Sequence, residues 1–513
     1  MLNSNSQPCS AERWPSGLRR TLGKRVYFNE YRGFESHSLR HIRQNPAVQA
    51  AHAFLPLLYP EGNAGGHEKL IRRLTTTLLQ NRWSQGLGAS MRFRLRKPAL
   101  PTAVYWFAAL AFALRIVVRL YSGAADFWIN GYTFFFDIAQ SIAAGKGIAI
   151  EGVPVTFRVP LYPIFLAALT MGHQAFWPIL IAQSLIGAGT AICAAMLARQ
   201  MFCGPTAGKA ATLAAAITAI YPYYVVHDTA MQETALFTLL TLIAALLARQ
   251  TARTGALTPA AICGLMLGLD VLTRAPIALF ALIVPIWLIV RKRTAAALLC
   301  ALLLALTVSP WLWRSYKLTG EPMLTTESGL ELWNGNNDIL FRYYPRESVD
   351  VSIHAHLGAL TAEDQRELSQ LGGNEALIDH WFLHKGLAYI RAHPWLTFTN
   401  GLRKIAATFD WLPTPRRSLG RSLLHAFSYG PVMALGLWGM WRRRSQWRED
   451  SLVYLMFAQF IVITAVYFGQ TNHRVYLDVY WIVFAAGALA KAPSPIANTI
   501  EAAGKAELPR AKS

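Results

Sequence analysis

Long apolar runs separated by short basic loops restrict this chain more than any other feature. Stretches near 102–121, 176–198, 210–226, 234–248, 259–272, 275–290, 295–312, 423–441, 452–468 and 475–490 read as ten membrane-spanning helices. Several are shorter than the ~20 residues that cross a hydrocarbon layer ~30 Å thick, which predicts tilted, broken or re-entrant helices. Composition points the same way: 53% of the 513 residues are hydrophobic and 15% are charged, against about 25% charged in soluble chains. The expected fold is an all-α polytopic integral membrane protein.

A net charge of +21 would suit a nucleic-acid partner, but its distribution argues otherwise. Arg92, Arg94, Arg96 and Lys97 precede the first run. Arg199 and Lys209, Arg249 and Arg253, Arg291, Lys292 and Arg293, Arg442, Arg443, Arg444 and Arg448, and Lys491 fall in alternate loops. In a ten-span arrangement all of them share one side. Basic loops mark the cytoplasmic side, so both termini are expected there and no nucleic acid is expected as a partner. Five cysteines include no CxxC pair. Cys193, Cys263 and Cys300 lie inside apolar runs and read as small buried hydrophobes.

The chain divides accordingly. Residues 91–312 form a transmembrane core whose first extracytoplasmic loop is 122–175. An extracytoplasmic segment of mainly helical pattern follows over 313–422, then further spans over 423–490 and a cytoplasmic tail over 491–513. Residues 1–90 show neither helical nor strand periodicity. Their stretch "AERWPSGLRRTLGKRVYFNEYRGFESHSLRH" resembles the translation of a bacterial serine tRNA gene, so the native start is expected at Met91. A basic disordered arm is the other reading of 1–90.

Charge at the non-cytoplasmic boundary is costly and usually functional when unpaired. Asp126 lies just beyond the first span and is a candidate general base, against a plain solvated aspartate. Arg158 precedes Pro160, Leu161, Tyr162 and Pro163, where stiffened backbone would hold a guanidinium against a phosphate. Arg274, in "VLTRAP", and Arg474, in "NHRVYLD", fall at the same boundary, and three arginines on one face suggest an anionic headgroup. His227, Asp228 and Glu233, with His473, Tyr162 and Asn336, complete the candidate network. His227 beside Asp228 is expected to form a hydrogen-bond network rather than a metal site, because no third ligand is obvious. Arg115, inside the first span, is close enough to its outer end to be expected to snorkel. No GxxxxGK[ST], HExxH, GxSxG or dinucleotide fingerprint is present in a suitable setting.

Seven stretches in order, "FFFDIAQSIAAGKG", "RVPLYPIFLAAL", "MQETALF", "LDVLTRAPIAL", "SPWLWRSYKLTGEP", "LWNGNND" and "NHRVYLDVYW", resemble the GT-C superfamily of membrane glycosyltransferases. The protein mannosyltransferase and aminoarabinose transferase group is the nearest in pattern. The departures are Asn130 and Gly131 where that group often has its acid, Ser315 where Asn is usual, and Asp478–Val479 for the expected Leu–Pro. The acid's role therefore falls to Asp126. The resemblance implies a GT-C-like fold and transfer of a sugar from a polyprenyl-phosphate donor to a lipid, glycan or protein acceptor. The site would lie on the outer face of a bacterial cytoplasmic membrane. It further implies Asp126 as base and Arg158, Arg274 and Arg474 as phosphate ligands, with membrane lipids as further partners. No cofactor is certain, and a divalent metal stays open. A transporter or lipid flippase is the first alternative function. An enzyme like an O-antigen ligase or polymerase is the second.

Overall fold

In the computed structural model, residues 100–129 and 133–490 are described, together with their side chains except those of Ala125, Asp126 and Ile129. The expectations for residues 1–90, Met91, Asn130, Gly131 and the 491–513 tail therefore lie outside the described residues.

The chain runs α1 (Thr102–Ser122), α2 (Ala124–Ile129), α3 (Thr133–Ala143), a two-stranded antiparallel hairpin of β1 (Ala149–Ile150) and β2 (Val153–Pro154), and α4 (Leu161–Thr170). The central series is α5 (Phe176–Met201), α6 (Gly204–Ile220), α7 (Pro222–Asp228), α8 (Thr234–Thr254), α9 (Leu257–Val271), α10 (Ala278–Val290) and α11 (Thr294–Thr319). After these come α12 (Ser328–Gly335), α13 (Leu340–Tyr343), α14 (Val349–Gly358), α15 (Ala362–Gln370), α16 (Glu375–Ala392) and α17 (Pro394–Thr408). The last three are α18 (Leu419–Arg442), α19 (Trp447–Val466) and α20 (Val475–Leu489).

A helix forms at each of the ten apolar runs. Five of them are long and apolar enough to cross a membrane, and α6 with α7, bent by 53° at Tyr221, makes a sixth if taken as one broken span. The bend has a local cause: Tyr221 is extended and Pro222 opens α7, where its missing N–H interrupts the ladder. α9, α20 and the segment Ala275–Val290 are shorter apolar helices.

Helix α20 explains how one of these short runs is accommodated. Every residue from Val475 to Ala486 is buried, with α5, α6, α8, α18 and α19 packed around it. At 1.5 Å per residue its 15 residues rise about 22 Å, less than a hydrocarbon layer. It is enclosed by protein, as expected of a helix apolar on all sides. Glycines permit that enclosure. A Cβ on Gly439 of α18 would strike the Phe484 carbonyl of α20, and one on Gly264 of α9 would strike the Cys300 carbonyl of α11. Small residues at such contacts let helix backbones approach closely.

Among the described residues, four of the basic residues expected in alternate loops bond backbone carbonyls at one end of the bundle. Arg253 donates to the Gln200 carbonyl at 2.6 Å, Arg293 to Ala252 at 3.0 Å, Arg249 to Glu449 at 2.7 Å and Arg442 to Ala488 at 3.3 Å. The opposite end, called the loop face below, carries 122–175 and the segment after α11.

On the loop face, the 122–175 segment folds around its own aromatic core of Phe127, Phe134, Phe135, Phe136, Phe157 and Tyr162, which also takes in Met231. The segment after α11 has a core of Leu330, Trp333, Leu357, Leu368, Ile378 and Phe382. Helix α17 is inverted relative to a helix in water. Asn400, Gly401, Lys404 and Thr408 are buried, while Trp395, Leu396, Phe398 and Leu402 are exposed. Lys404 Nζ holds its inner face in place by donating to the carbonyls of Gly335 at 3.1 Å and Tyr467 at 2.8 Å. These acceptors lie at the C-terminal ends of α12 and α19, where the helix dipole favours a cation.

Candidate active site on the loop face

The stretch "RVPLYP" is built as a rigid entry into α4. Pro160 caps the helix and Pro163 occupies its first turn, where a missing N–H leaves no helical bond unmade. Leu161 N–H, the first donor of that turn, instead reaches the Leu272 carbonyl at 2.9 Å. This bond joins "RVPLYP" to "VLTRAP", stretches more than a hundred residues apart in the chain. Arg158 and Arg274 are thereby carried on adjoining backbone.

Each of the two arginines has a carboxylate partner and keeps some exposure. Arg158 lies over the rings of Phe134 and Phe157, 5.5 and 5.8 Å from their centroids, and pairs with Glu327. Its side chain is 37% exposed. Arg274 pairs with Glu233 at 3.2 Å and lies 5.3 Å from the Phe237 ring centroid. The second oxygen of Glu233 is buried with no hydrogen-bond partner. His473, in the turn between α19 and α20, faces both arginines. Desolvation first, then the charges of Arg274 and Arg158, push its imidazole pKa down to about 3. A neutral imidazole is the form that two nearby guanidiniums favour.

Arg474 sits in different surroundings. It is fully buried and donates to Asp478 at 2.6 Å and to the Thr408 carbonyl at 3.0 Å, with Tyr429's ring centroid 3.2 Å away. Asp478 also accepts from Tyr221 at 2.8 Å. The carboxylate that departs from the GT-C pattern is thus the counter-ion of this buried arginine.

The remaining candidates divide between two networks. Tyr162 donates to Gln183 at 2.8 Å, and the Gln183 amide donates to the carbonyls of Asp228 and Ala230 at 2.7 and 2.8 Å. Asp228 does not join His227. It binds Arg115 Nε at 2.7 Å, in a pair seated where Gly187 has no Cβ. This corrects the expectation that Arg115 snorkels: the residue is fully buried, and its guanidinium also donates to the carbonyls of Ala111 and Ala219 at 2.9 and 3.3 Å. An inward-facing carboxylate offers the charge a partner that the bilayer surface would otherwise supply. His227 Nδ1 instead contacts the Gln232 amide at 2.6 Å. Asn336 donates to the carbonyls of Leu332 at 2.8 Å and Val466 at 2.9 Å, tying α12 to the end of α19.

Asp126 lies on α2, and its side chain is outside the described residues. Its neighbour Phe127 is fully buried, edge-on to Phe176 at 5.3 Å, in the same aromatic core that supports Arg158.

The sequence reading did not single out Glu331 and Asn334 of α12. Glu331 Oε2 and both polar side-chain atoms of Asn334 are buried with no hydrogen-bond partner. Burial first, and then the charge of Glu327, push the Glu331 carboxyl up to about 8 against the opposing pull of Arg158 and of the neighbouring Asn334 side chain. The available signal was their spacing from Glu327, four and seven residues on, which sets all three on one helix face. Among the described residues no three His, Cys, Asp or Glu side chains gather closely enough to hold a metal ion.

Residues 158–313 match the family model described as dolichyl-phosphate-mannose-protein mannosyltransferase. The match covers less than a third of the chain and makes that stretch similar to GT-C mannosyltransferases. Its span begins at Arg158 and ends just short of Arg314, so it contains the Leu161–Leu272 junction and Arg274. Among solved structures, the oligosaccharyltransferase of Archaeoglobus fulgidus in its apo form is similar over 80% of this chain and 52% of its own, at 13% identity and a TM-score of 0.42. The present chain thus spans about half the length of that protein. A search of curated proteins found no match. The joined "RVPLYP" and "VLTRAP" segments are the part that sequence and geometry single out together.

Proposed function

We propose that this GT-C glycosyltransferase moves a sugar from a polyprenyl-phosphate carrier to a lipid, glycan or protein acceptor at the outer face of a bacterial cytoplasmic membrane, with both termini cytoplasmic. The observation that carries the proposal is the backbone bond between Leu161 and Leu272, which joins the segments of Arg158 and Arg274 on the loop face.

In the reaction an acceptor oxygen bonds to the anomeric carbon as the bond from that carbon to the phosphate oxygen breaks. The bonding electrons leave with the phosphate, and the acceptor's proton passes to a base. Arg158 and Arg274 would donate to the phosphate as its charge grows, where preorganised donors are most effective. Phosphate would compete with Glu327 and Glu233 for them. Arg474, buried next to His473 in the chain, would add positive potential and hold the turn that carries His473. Asp126 would take the proton. What supports this role is the packing of α2 into the aromatic core on which Arg158 rests. Tyr162 and Asp228 would brace the floor, with Glu233 and His227 at its edge and Asn336 anchoring α12.

Mass spectrometry of lipid co-purified with the full chain tests the proposal, comparing wild type with Asp126→Asn. A polyprenyl-phosphate sugar retained by the variant and consumed by wild type is the expected result. The same charged lipid on both proteins would remove Asp126 as base. A different solute with no polyprenyl lipid would favour the transporter reading.

A further inference from the structure

The loop-face helix α12 carries a polar stripe that the phosphate chemistry leaves unused. Glu327, Glu331 and Asn334 follow one another at the spacing of a helix face, over about 10 Å of rise. At one end Glu327 is spent on Arg158. Toward the other end, three side-chain atoms are buried with no hydrogen-bond partner among the described residues: Glu331 Oε2, Asn334 Oδ1 and Asn334 Nδ2. Asn334 is 2% exposed, and a buried amide left unsatisfied is costly. The helix itself is firmly fixed. Asp379 accepts from Gly329 N–H at 2.8 Å, and a Cβ on Gly335 would collide with the Tyr467 carbonyl. Rotation of α12 therefore cannot turn these groups toward water.

We propose that Glu331 and Asn334 form a subsite for the hydroxyl groups of the sugar whose phosphate Arg158 grips. This rests on the polyprenyl-phosphate reading above and extends it to the sugar. Ring hydroxyls both donate and accept hydrogen bonds, and a carboxyl and a carboxamide three residues apart offer both functions to neighbouring hydroxyls. Distance along the helix orders the groups as such a donor would need: guanidinium at the phosphate, then carboxyl, then amide. A second phosphate suits the stripe poorly, because the Glu331 carboxylate would repel it. The acyl tail of a lipid suits it poorly too, since it would leave the same three atoms unsatisfied. With Glu331 held protonated by burial and by Glu327, the carboxyl is a donor as well as an acceptor.

Native mass spectrometry of the full chain in detergent, titrated with a polyprenyl phosphate and with the same lipid carrying a hexose or a pentose, tests the assignment. Wild type is expected to bind one sugar-bearing lipid more tightly than the bare phosphate. Glu331→Leu and Asn334→Leu should each lower that preference about tenfold, the value of one or two lost hydrogen bonds, with bare-phosphate affinity within twofold of wild type. Glu331→Gln, which keeps shape and hydrogen-bonding capacity, should retain most of the preference. A preference that survives both leucine variants overturns the subsite. So does an equal loss of affinity for both lipids, which would make α12 part of the phosphate grip or of the scaffold. If wild type binds neither lipid, the polyprenyl-phosphate reading itself has failed.

Discussion

The ion pairs inside the bundle and those on the loop face use the same side chains in opposite ways. Arg115 and Arg474 are fully buried, each bound to an aspartate and to backbone carbonyls. Arg158 and Arg274 each hold one carboxylate, rest on aromatic rings and keep part of their surface open. A guanidinium sealed inside the bundle against an aspartate and backbone carbonyls is out of reach of a ligand at the surface. An arginine at a boundary, itself partly open although its carboxylate partner is buried, keeps surface that a phosphate can reach. The first kind holds helices together; the second kind can recognise. Arginine type and boundary position in the sequence could not separate the two.

Removing a buried arginine is the most severe way to test the contrast. Arg474→Ala leaves Asp478 charged in the bundle, and Arg115→Ala does the same to Asp228. Each should cost about 3–5 kcal/mol of stability, read as a large fall in melting temperature and in yield of folded protein. Replacing both members, as in Arg115→Met with Asp228→Leu, should recover most of the loss, because an apolar pair of similar volume removes the stranded charge. Recovery would mark the pair as scaffold; its absence would show that something further depends on the charge.

The loop-face pair should respond in the reverse sense. Arg158→Ala is expected to cost less stability than Arg474→Ala, because Arg158 is partly exposed and only its Glu327 partner is buried. Its kcat with a polyprenyl-phosphate sugar should fall about 10²–10³-fold, the scale of losing one preorganised donor to a developing charge. Arg274→Ala should behave alike. A collapse of folding in either variant would erase the distinction between the two kinds of arginine.

The same contrast explains what the sequence disclosed. A helix forms at each of the ten apolar runs, five or six of them long enough to span, and the alternation of basic loops placed Arg253, Arg293 and Arg442 at one end, where their hydrogen bonds put them. Motif order singled out Arg158 and Arg274, whose segments the Leu161–Leu272 bond joins. Pairing was not legible. Nothing local in the sequence joins Arg115 to Asp228, 113 residues apart, or marks Asp478 as the counter-ion of Arg474 rather than a departure from pattern. The inverted face of α17 was hidden because its alternation of polar and apolar residues reads the same with either face inward. Glu331 and Asn334 were missed because their significance lies in what they fail to touch.

A backbone contact provides a smaller test of how tightly the scaffold is specified beneath the site. Gly264→Ala places a methyl against the Cys300 carbonyl at the α9–α11 contact. Relieving it requires one helix to shift, at a cost of about 1–3 kcal/mol. Because α9 leads directly to Leu272 and Arg274, the shift should also weaken donor binding, read as a raised KM with kcat less affected. A stability loss with unchanged KM would show that the Leu161–Leu272 junction is insulated from the bundle below it.

The gentlest probe is pH, through Glu331. Its carboxyl is raised from an ordinary 4.5 to about 8, chiefly by burial and next by Glu327. Between those values the folded protein keeps a proton that the unfolded chain gives up, so folding takes up protons there. Stability from this group is therefore complete below about pH 4.5 and is lost as pH rises through about 8. Wild type should show a melting temperature that declines by a few degrees over that window, and Glu331→Gln, neutral at every pH, should flatten the decline. Arg158→Ala sharpens the test. Removing the cation that favours the charged form should raise the Glu331 pKa and move the decline to higher pH, although the substituted residue belongs to another segment. If the decline stays in place in Arg158→Ala, the guanidinium and the α12 carboxyls are not electrostatically coupled. The stripe on α12 would then belong with the scaffold, alongside Asp228 and Asp478, rather than with the groups that meet a ligand.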